Sequence, residues 1–152
     1  MYTASDHTFV VCAYGESPYL QDCLASLVRQ AARTRIIVTT STPNPLIYSV
    51  AEQFGVPLLV NKGELGIAHD WNCALAHAGT SLVTIAHQDD TYAPRYAECL
   101  LDYCNRATHP LLFFSDYGEL RDGIVVDDTR MLKVKRLMLA PLKNSRRWRS
   151  IG

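Results

Sequence analysis

An alternation constrains this chain more than any single motif. Short apolar runs rich in β-branched and aromatic residues are each followed by a polar loop and then by a segment with apolar residues at helical spacing. FVVCAY (Phe9 to Tyr14) is apolar throughout, so it reads as a strand covered on both faces rather than one. ESPYLQDCLASLVRQA then places Leu20, Cys23, Leu24, Leu27 and Val28 on one helical face, with Ser17 as N-cap and Pro18 at the first helical position. RIIVTTS, NPLIYSVAEQFG and VPLLVN repeat the cycle, with Gly55 as a C-terminal helix stop. IAHDWNCALAHAG predicts a helix with Ile67, Trp71, Ala74, Leu75 and Ala78 inward and Gly79 ending it. SLVTIAH reads as a strand, PRYAECLLDYCNRA as a helix, and PLLFFSDYGEL as a strand turning through Asp122-Gly123 into IVVDD as a hairpin.

Strands alternating with helices require right-handed crossovers, a mainly parallel sheet and helices on both of its faces. The expected fold class is therefore α/β, a three-layer α/β/α sandwich. A length of 152 residues, 48% hydrophobic, suits one domain with a real core. No run approaches the roughly 18 apolar residues of a membrane span, and the opening MYTASDHTFVVCAYG lacks a signal-peptide pattern, which points to the cytoplasm. The cysteines at 12, 23, 73, 99 and 104 are odd in number, lie mostly in apolar segments and form no C-x-x-C pair, so they read as reduced core residues rather than a zinc site.

Charge is uneven along a chain whose net charge is zero: residues 130–152 carry eight basic and no acidic groups. Such a tail could bind nucleic acid or a membrane surface, but it reads first as the solvated face of a helix, because Met131, Leu132, Val134, Leu137, Met138 and Leu139 interleave at helical spacing. The division expected is residues 1–129 as the main domain and 130–152 as a basic C-terminal helix or tail.

In open α/β sheets ligands bind beyond the carboxyl ends of the strands. The polar groups there are Tyr14, Gly15 and Glu16, then Thr39, Thr40, Ser41 and Thr42, then Asn61 and Lys62, then His87, Gln88, Asp89 and Asp90. Neither G-x-x-x-x-G-K-[ST] nor G-x-G-x-x-G follows the first strand, and no G-x-S-x-G elbow occurs, which removes P-loop enzymes, dinucleotide-binding domains and α/β-hydrolases. Adjacent carboxylates at Asp89 and Asp90 repel unless a cation or protons offset them, and Mg²⁺ or Mn²⁺ takes one or two carboxylates while leaving room for phosphate oxygens. The alternative is that they open a loop and cap the helix near Pro94. His87 is a structural hydrogen-bonding group or, beside two carboxylates, a metal or phosphate ligand.

FVVCAYGESPYLQDCLASLVRQ, RIIVTTST and VPLLVNKGELGIAHDWNCALAHAGTSLVTIAHQDD, in that order, resemble the nucleotide-binding half of family 2 glycosyltransferases, which have the GT-A fold. The likeness runs from about Phe9 to Tyr117. It implies transfer of a sugar, with inversion, from a nucleotide-diphosphate donor, a UDP-sugar above all, to a sugar, polysaccharide or lipid-linked acceptor, as in cell-surface polysaccharide synthesis. It implies no nucleic-acid partner. It places the base and ribose against Ala13, Tyr14, Glu16, Thr39, Thr40 and Ser41, puts Asn61, Gly66 and Asp70 near nucleotide or sugar, and adds His87 and Gln88 at the diphosphate end. Asp89, with Asp90 and His87, falls on the metal motif for Mn²⁺ or Mg²⁺, and Asp116 in the Ser-Asp-Tyr run faces donor sugar or acceptor.

Two departures stand out. TTST replaces the usual DDGS, so the acidic nucleotide contact is missing, and His87 replaces the first Asp of Asp-x-Asp. The carboxylate that deprotonates the acceptor usually lies beyond the matched region, and Asp127 and Asp128 are more simply turn residues. Residues 130–152 are accordingly expected to begin a truncated acceptor-side region, with a peripheral contact to the cytoplasmic face of a membrane through their basic groups. The competing expectation is a degenerate, non-catalytic GT-A module that binds nucleotide weakly or serves as an interaction domain.

Overall fold

The computed structural model describes residues 1–109, 111–121 and 123–140. They fall in two compact units that divide between Leu111 and Leu112.

The first unit is built on four parallel strands, β1 (His7–Ala13), β2 (Arg35–Thr40), β3 (Leu58–Val60) and β4 (Leu82–His87), in the order β3-β2-β1-β4. Cys12 lies opposite both Thr39 and His87, so β1, β2 and β4 end level with one another. Alternate residues of β1 serve opposite faces. Phe9, Val11 and Ala13 join Leu20, Leu24 and Leu27 of α1 (Leu20–Val28), Ile47 and Val50 of α2 (Pro45–Gln53) and Ala97 of α4 (Tyr96–Arg106). Val10 and Ile37 pack on the other face against Ala74 and Ala78 of α3 (Ile67–Ala78). The expected three layers are therefore present, with β1 covered on both sides as its unbroken apolar run requires.

Local chemistry sets the helix ends. Asn44 Oδ1 accepts from the Ile47 amide at 3.0 Å, with Pro45 in the first turn of α2. Gly79 ends α3 with φ 65°, a left-handed conformation that glycine adopts without steric cost. α1 starts at Leu20 rather than Pro18; Ser17 Oγ instead accepts from the Tyr19 amide at 3.3 Å in the turn ahead of the helix.

The face of α3 turned inward matches the expected one at Ala74 and Ala78 but not at Ile67, Trp71 and Leu75. Its buried row is Asp70, Ala74 and Ala78, whereas Ile67 is 67% and Leu75 52% exposed. Two alanines let the helix approach Val10 and Ile37 closely, which bulkier Trp71 and Leu75 would prevent.

In the second unit, residues 112–118 form no strand, against expectation, and Leu112 is 77% exposed. The hairpin is present as β5 (Glu119–Arg121) paired antiparallel with β6 (Ile124–Val126), Gly123 having φ 78°. Thr129 caps α5 (Arg130–Leu139), its Oγ1 accepting from the Leu132 amide at 3.3 Å. The rest of the basic tail, residues 141–152, lies outside the described residues. No helix among the described residues is long and apolar enough to cross a membrane.

Candidate functional site

In the order β3-β2-β1-β4 the chain leaves β1 toward β2 on one side and returns to β4 on the other, so the carboxyl ends of β1 and β4 flank the point where an open sheet leaves a crevice. A cleft of about 460 Å³ lies there. Cys12 and Tyr14 line it from β1 and the residue beyond, and His87, Gln88 and Asp89 from the end of β4. Leu65, Gly66, Ile67, Asp70 and Trp71 line it from the start of α3. Of the candidate residues named from the sequence, Tyr14, Gly66, Asp70, His87, Gln88 and Asp89 line this one cleft.

Cys12, Leu65, Ile67 and Trp71 were not anticipated. The signal for Ile67 and Trp71 was their spacing of four from one another on a helix whose parallel row holds the small residues Ala74 and Ala78. Trp71 packs against the His87 ring, centroids 5.5 Å apart at 60°.

Behind the cleft sits a buried polar cluster. Asp70, 8% exposed, accepts from Ser41 Oγ at 2.9 Å on one carboxylate oxygen and from Asn61 Nδ2 at 2.8 Å on the other. Asn61 is held by its own amide, which donates to Thr40 O at 2.7 Å, while its Oδ1 is buried without a hydrogen-bond partner among the described residues. Thr39 and Thr40 are buried and turned to internal bonds, Thr39 Oγ1 toward Cys12 Sγ at 3.9 Å and Thr40 Oγ1 accepting from the Thr42 amide at 3.0 Å. Ala13 faces the core beside Phe9 and Val11, and Glu16 is exposed in the loop after β1.

The loop backbone is fixed by side chains. Gln88 Oε1 accepts from the Tyr14 amide at 3.0 Å and its Nε2 donates to Tyr14 O at 2.8 Å, so one amide group joins the chain just beyond β1 to the chain just beyond β4. The Gly15 amide donates to Thr42 Oγ1 at 2.7 Å and Asn44 Nδ2 donates to Gly15 O at 2.9 Å, tying the same loop to the start of α2. Gly66, at the start of α3, has φ 151°; a Cβ there would meet open space, so its backbone conformation rather than crowding calls for glycine.

Asp89 and Asp90 form the turn after β4, where the Asp90 amide donates to His87 O at 3.2 Å. They do not cap the following helix, since α4 begins at Tyr96 after Arg95. Cys23 Sγ donates to the same His87 carbonyl at 3.3 Å, and burial, with Asp90 and Asp89 adding, pushes that thiol up to about 12, so it stays a protonated donor. Burial and the neighbouring Asp89 raise the Asp90 carboxyl, with His87 opposing. No group of three or more His, Cys, Asp or Glu is arranged to hold a metal among the described residues. Asp89 on the cleft wall, with Asp90 next to it in the turn, does however match the donor set of a divalent cation whose remaining ligands are phosphate oxygens and water.

Asp116 belongs to the second unit. Arg136 Nε donates to its Oδ1 at 2.9 Å, and the same guanidinium donates to Tyr117 O at 3.3 Å and to Asp127 O. Asp116 therefore ties the segment before the hairpin to α5.

The sequence model of the family described as Glycosyl transferase family 2 matches residues 8–130. No curated protein matches the chain. Among solved structures, a mannosyltransferase from Pyrobaculum calidifontis in complex with GDP-Man and Mn²⁺ superposes with a TM-score of 0.58 and 21% sequence identity, covering 77% of this chain. The match covers 34% of that enzyme, so the chain spans about a third of its length. At this identity the likeness is one of fold, and the fold is GT-A. The chain belongs to glycosyl transferase family 2.

Proposed function

We propose that this family 2 member is the donor-binding portion of a glycosyltransferase that moves a sugar from a nucleotide diphosphate to an acceptor hydroxyl with inversion. The observation that carries the reading is one cleft at the β1/β4 switch point lined by Tyr14, by Asp70 and by Asp89 of the strand-end turn. A nucleoside is assigned to the Asp70 region, beside the end of β2, and a diphosphate to the Asp89 turn. Tyr14 supplies an aromatic face for the base, and Gln88 keeps the two strand ends together around it. Asp89 would hold Mn²⁺ or Mg²⁺, with Asp90 and His87 in support; when bound, the cation would supply charge stabilisation for the departing diphosphate. A UDP-sugar is the donor put first, and a GDP-sugar second because the similar mannosyltransferase carries GDP-Man.

On this reading the acceptor is a sugar, polysaccharide or lipid-linked hydroxyl, as in cell-surface polysaccharide synthesis, and residues 130–152 begin the acceptor side, with their basic groups available to a membrane surface. The test is a thermal melt with UDP or GDP and Mn²⁺. Ligand at about 100 times its Kd adds roughly 2.7 kcal/mol, which for a chain of this size raises Tm by about 5–10 °C. No shift with any nucleoside diphosphate, with or without metal, would sink the reading.

A second reading, a degenerate module that binds nucleotide weakly or serves as an interaction domain, is favoured by TTST at the end of β2 and His87 at the end of β4. Asp89→Ala separates the two: a catalyst loses metal-dependent transfer, whereas a scaffold loses nothing it uses.

A further inference from the structure

The end of β2 reads Thr39-Thr40-Ser41-Thr42, with no carboxylate, yet a carboxylate stands at that place in space. It comes from α3. Asp70 lines the cleft, is 8% exposed, and is held on both oxygens, by Ser41 of the β2 end at 2.9 Å and by Asn61 of the β3 end at 2.8 Å. Burying an ionised carboxylate is costly unless its lone pairs are met, and an aspartate left with two bonds still has acceptor capacity. Asn61 Oδ1, buried beside it and without a hydrogen-bond partner among the described residues, is a second acceptor. Of this acceptor-rich cluster it is Asp70 that lines the cleft, and its spare acceptor capacity calls for a ligand edge that carries N–H groups.

We propose that Asp70 is the nucleoside-recognition group of the donor site, and that it selects a base whose facing edge presents a ring N–H, as uracil and guanine do. This rests on the donor-binding reading above. Cytosine and adenine present a ring nitrogen acceptor at the equivalent position, which an acceptor-only carboxylate leaves unpaired, and such mismatches of buried polar groups are strongly discriminated. Ser41 and Asn61 are positioning residues that fix the carboxylate's orientation.

The experiment is calorimetric titration of the full chain, with Mn²⁺ present, by UDP, GDP, CDP and ADP, on the wild type, Asp70→Asn and the exchange variant Ser41→Asp/Asp70→Ser. Circular dichroism and Tm show which variants are folded. The wild type should bind UDP or GDP at least tenfold more tightly than CDP and ADP. Asp70→Asn should lose that preference, its amide offering a donor where the carboxylate only accepts. The exchange variant, which returns a carboxylate across the same 2.9 Å contact, should recover part of it, an outcome a purely structural role for Asp70 would not produce. Equal affinity for all four nucleotides, or a folded Asp70→Asn chain that keeps the preference, overturns the assignment while leaving the donor reading intact. If no variant but the wild type folds, its own four-nucleotide ranking decides. Failure of the wild type to bind any of the four removes the donor reading itself and this assignment with it.

Discussion

His7 offers the cleanest link between this structure and a measured free energy. It is fully buried at the start of β1, with Nε2 2.8 Å from Thr84 Oγ1 of β4, Nδ1 3.1 Å from Thr34 Oγ1, and its ring edge-on to Phe9 with centroids 4.6 Å apart. Either tautomer is satisfied, because each threonine hydroxyl can donate or accept. What the site lacks is solvent for a charge, and burial lowers the imidazole from the ordinary 6.5 to about 4. The unfolded chain therefore takes up a proton near pH 6.5 that the folded chain refuses until about pH 4. Stability from this group is complete above pH 6.5 and falls as pH drops toward 4, below which the loss stops growing. At about 1.4 kcal/mol per pH unit the full loss is about 3 kcal/mol, of which about 2 arrives by pH 5, before most carboxylates titrate. Urea denaturation followed by circular dichroism between pH 7.5 and 5 measures it as the difference between wild type and His7→Gln, which keeps hydrogen-bonding capacity but does not titrate. Parallel pH profiles for the two chains, or an NMR titration that places the His7 midpoint near 6.5, would refute the reasoning.

Two further outcomes follow from the loops. Gly79→Ala meets only the Arg35 guanidinium at an ordinary 3.7 Å, so its cost is the left-handed backbone alone, about 1–2 kcal/mol in urea denaturation, with nucleotide affinity unchanged. Gln88→Ala removes both bonds that join the ends of β1 and β4; because they are solvent-accessible the stability loss should stay near 1 kcal/mol, while calorimetry should show the greater effect on nucleoside diphosphate binding.

The strands β1, β2 and β4 were legible because each is apolar enough, over enough residues, to have no other use, and the helices between them because of their periodicity, with Pro45 and Gly79 also marking ends of α2 and α3 where Ser17 does not mark the start of α1. Residues 111–118 were misread for the opposite reason: Leu111, Leu112, Phe113 and Phe114 have strand composition, but a strand also needs a pairing neighbour, which no local window contains. α3 shows the same divide at the site. Its period was plain, yet two parallel rows compete to face the sheet, Ile67-Trp71-Leu75 by hydrophobicity and Asp70-Ala74-Ala78 by size. Size prevailed, because the helix that comes closest to the strands buries the most area, and a single aspartate could join the inner row once Ser41 and Asn61 met its oxygens. That outcome decides how the cleft is made. With the bulky row turned outward, Ile67 and Trp71 become its wall; with the small row turned inward, Asp70 lands beside the end of β2, where the sequence had shown only hydroxyls. The expected inner face of α3 holds at Ala74 and Ala78 and fails at Ile67 and Leu75, and the residue that joins the inner row instead is the carboxylate that stands beside the acid-free end of β2.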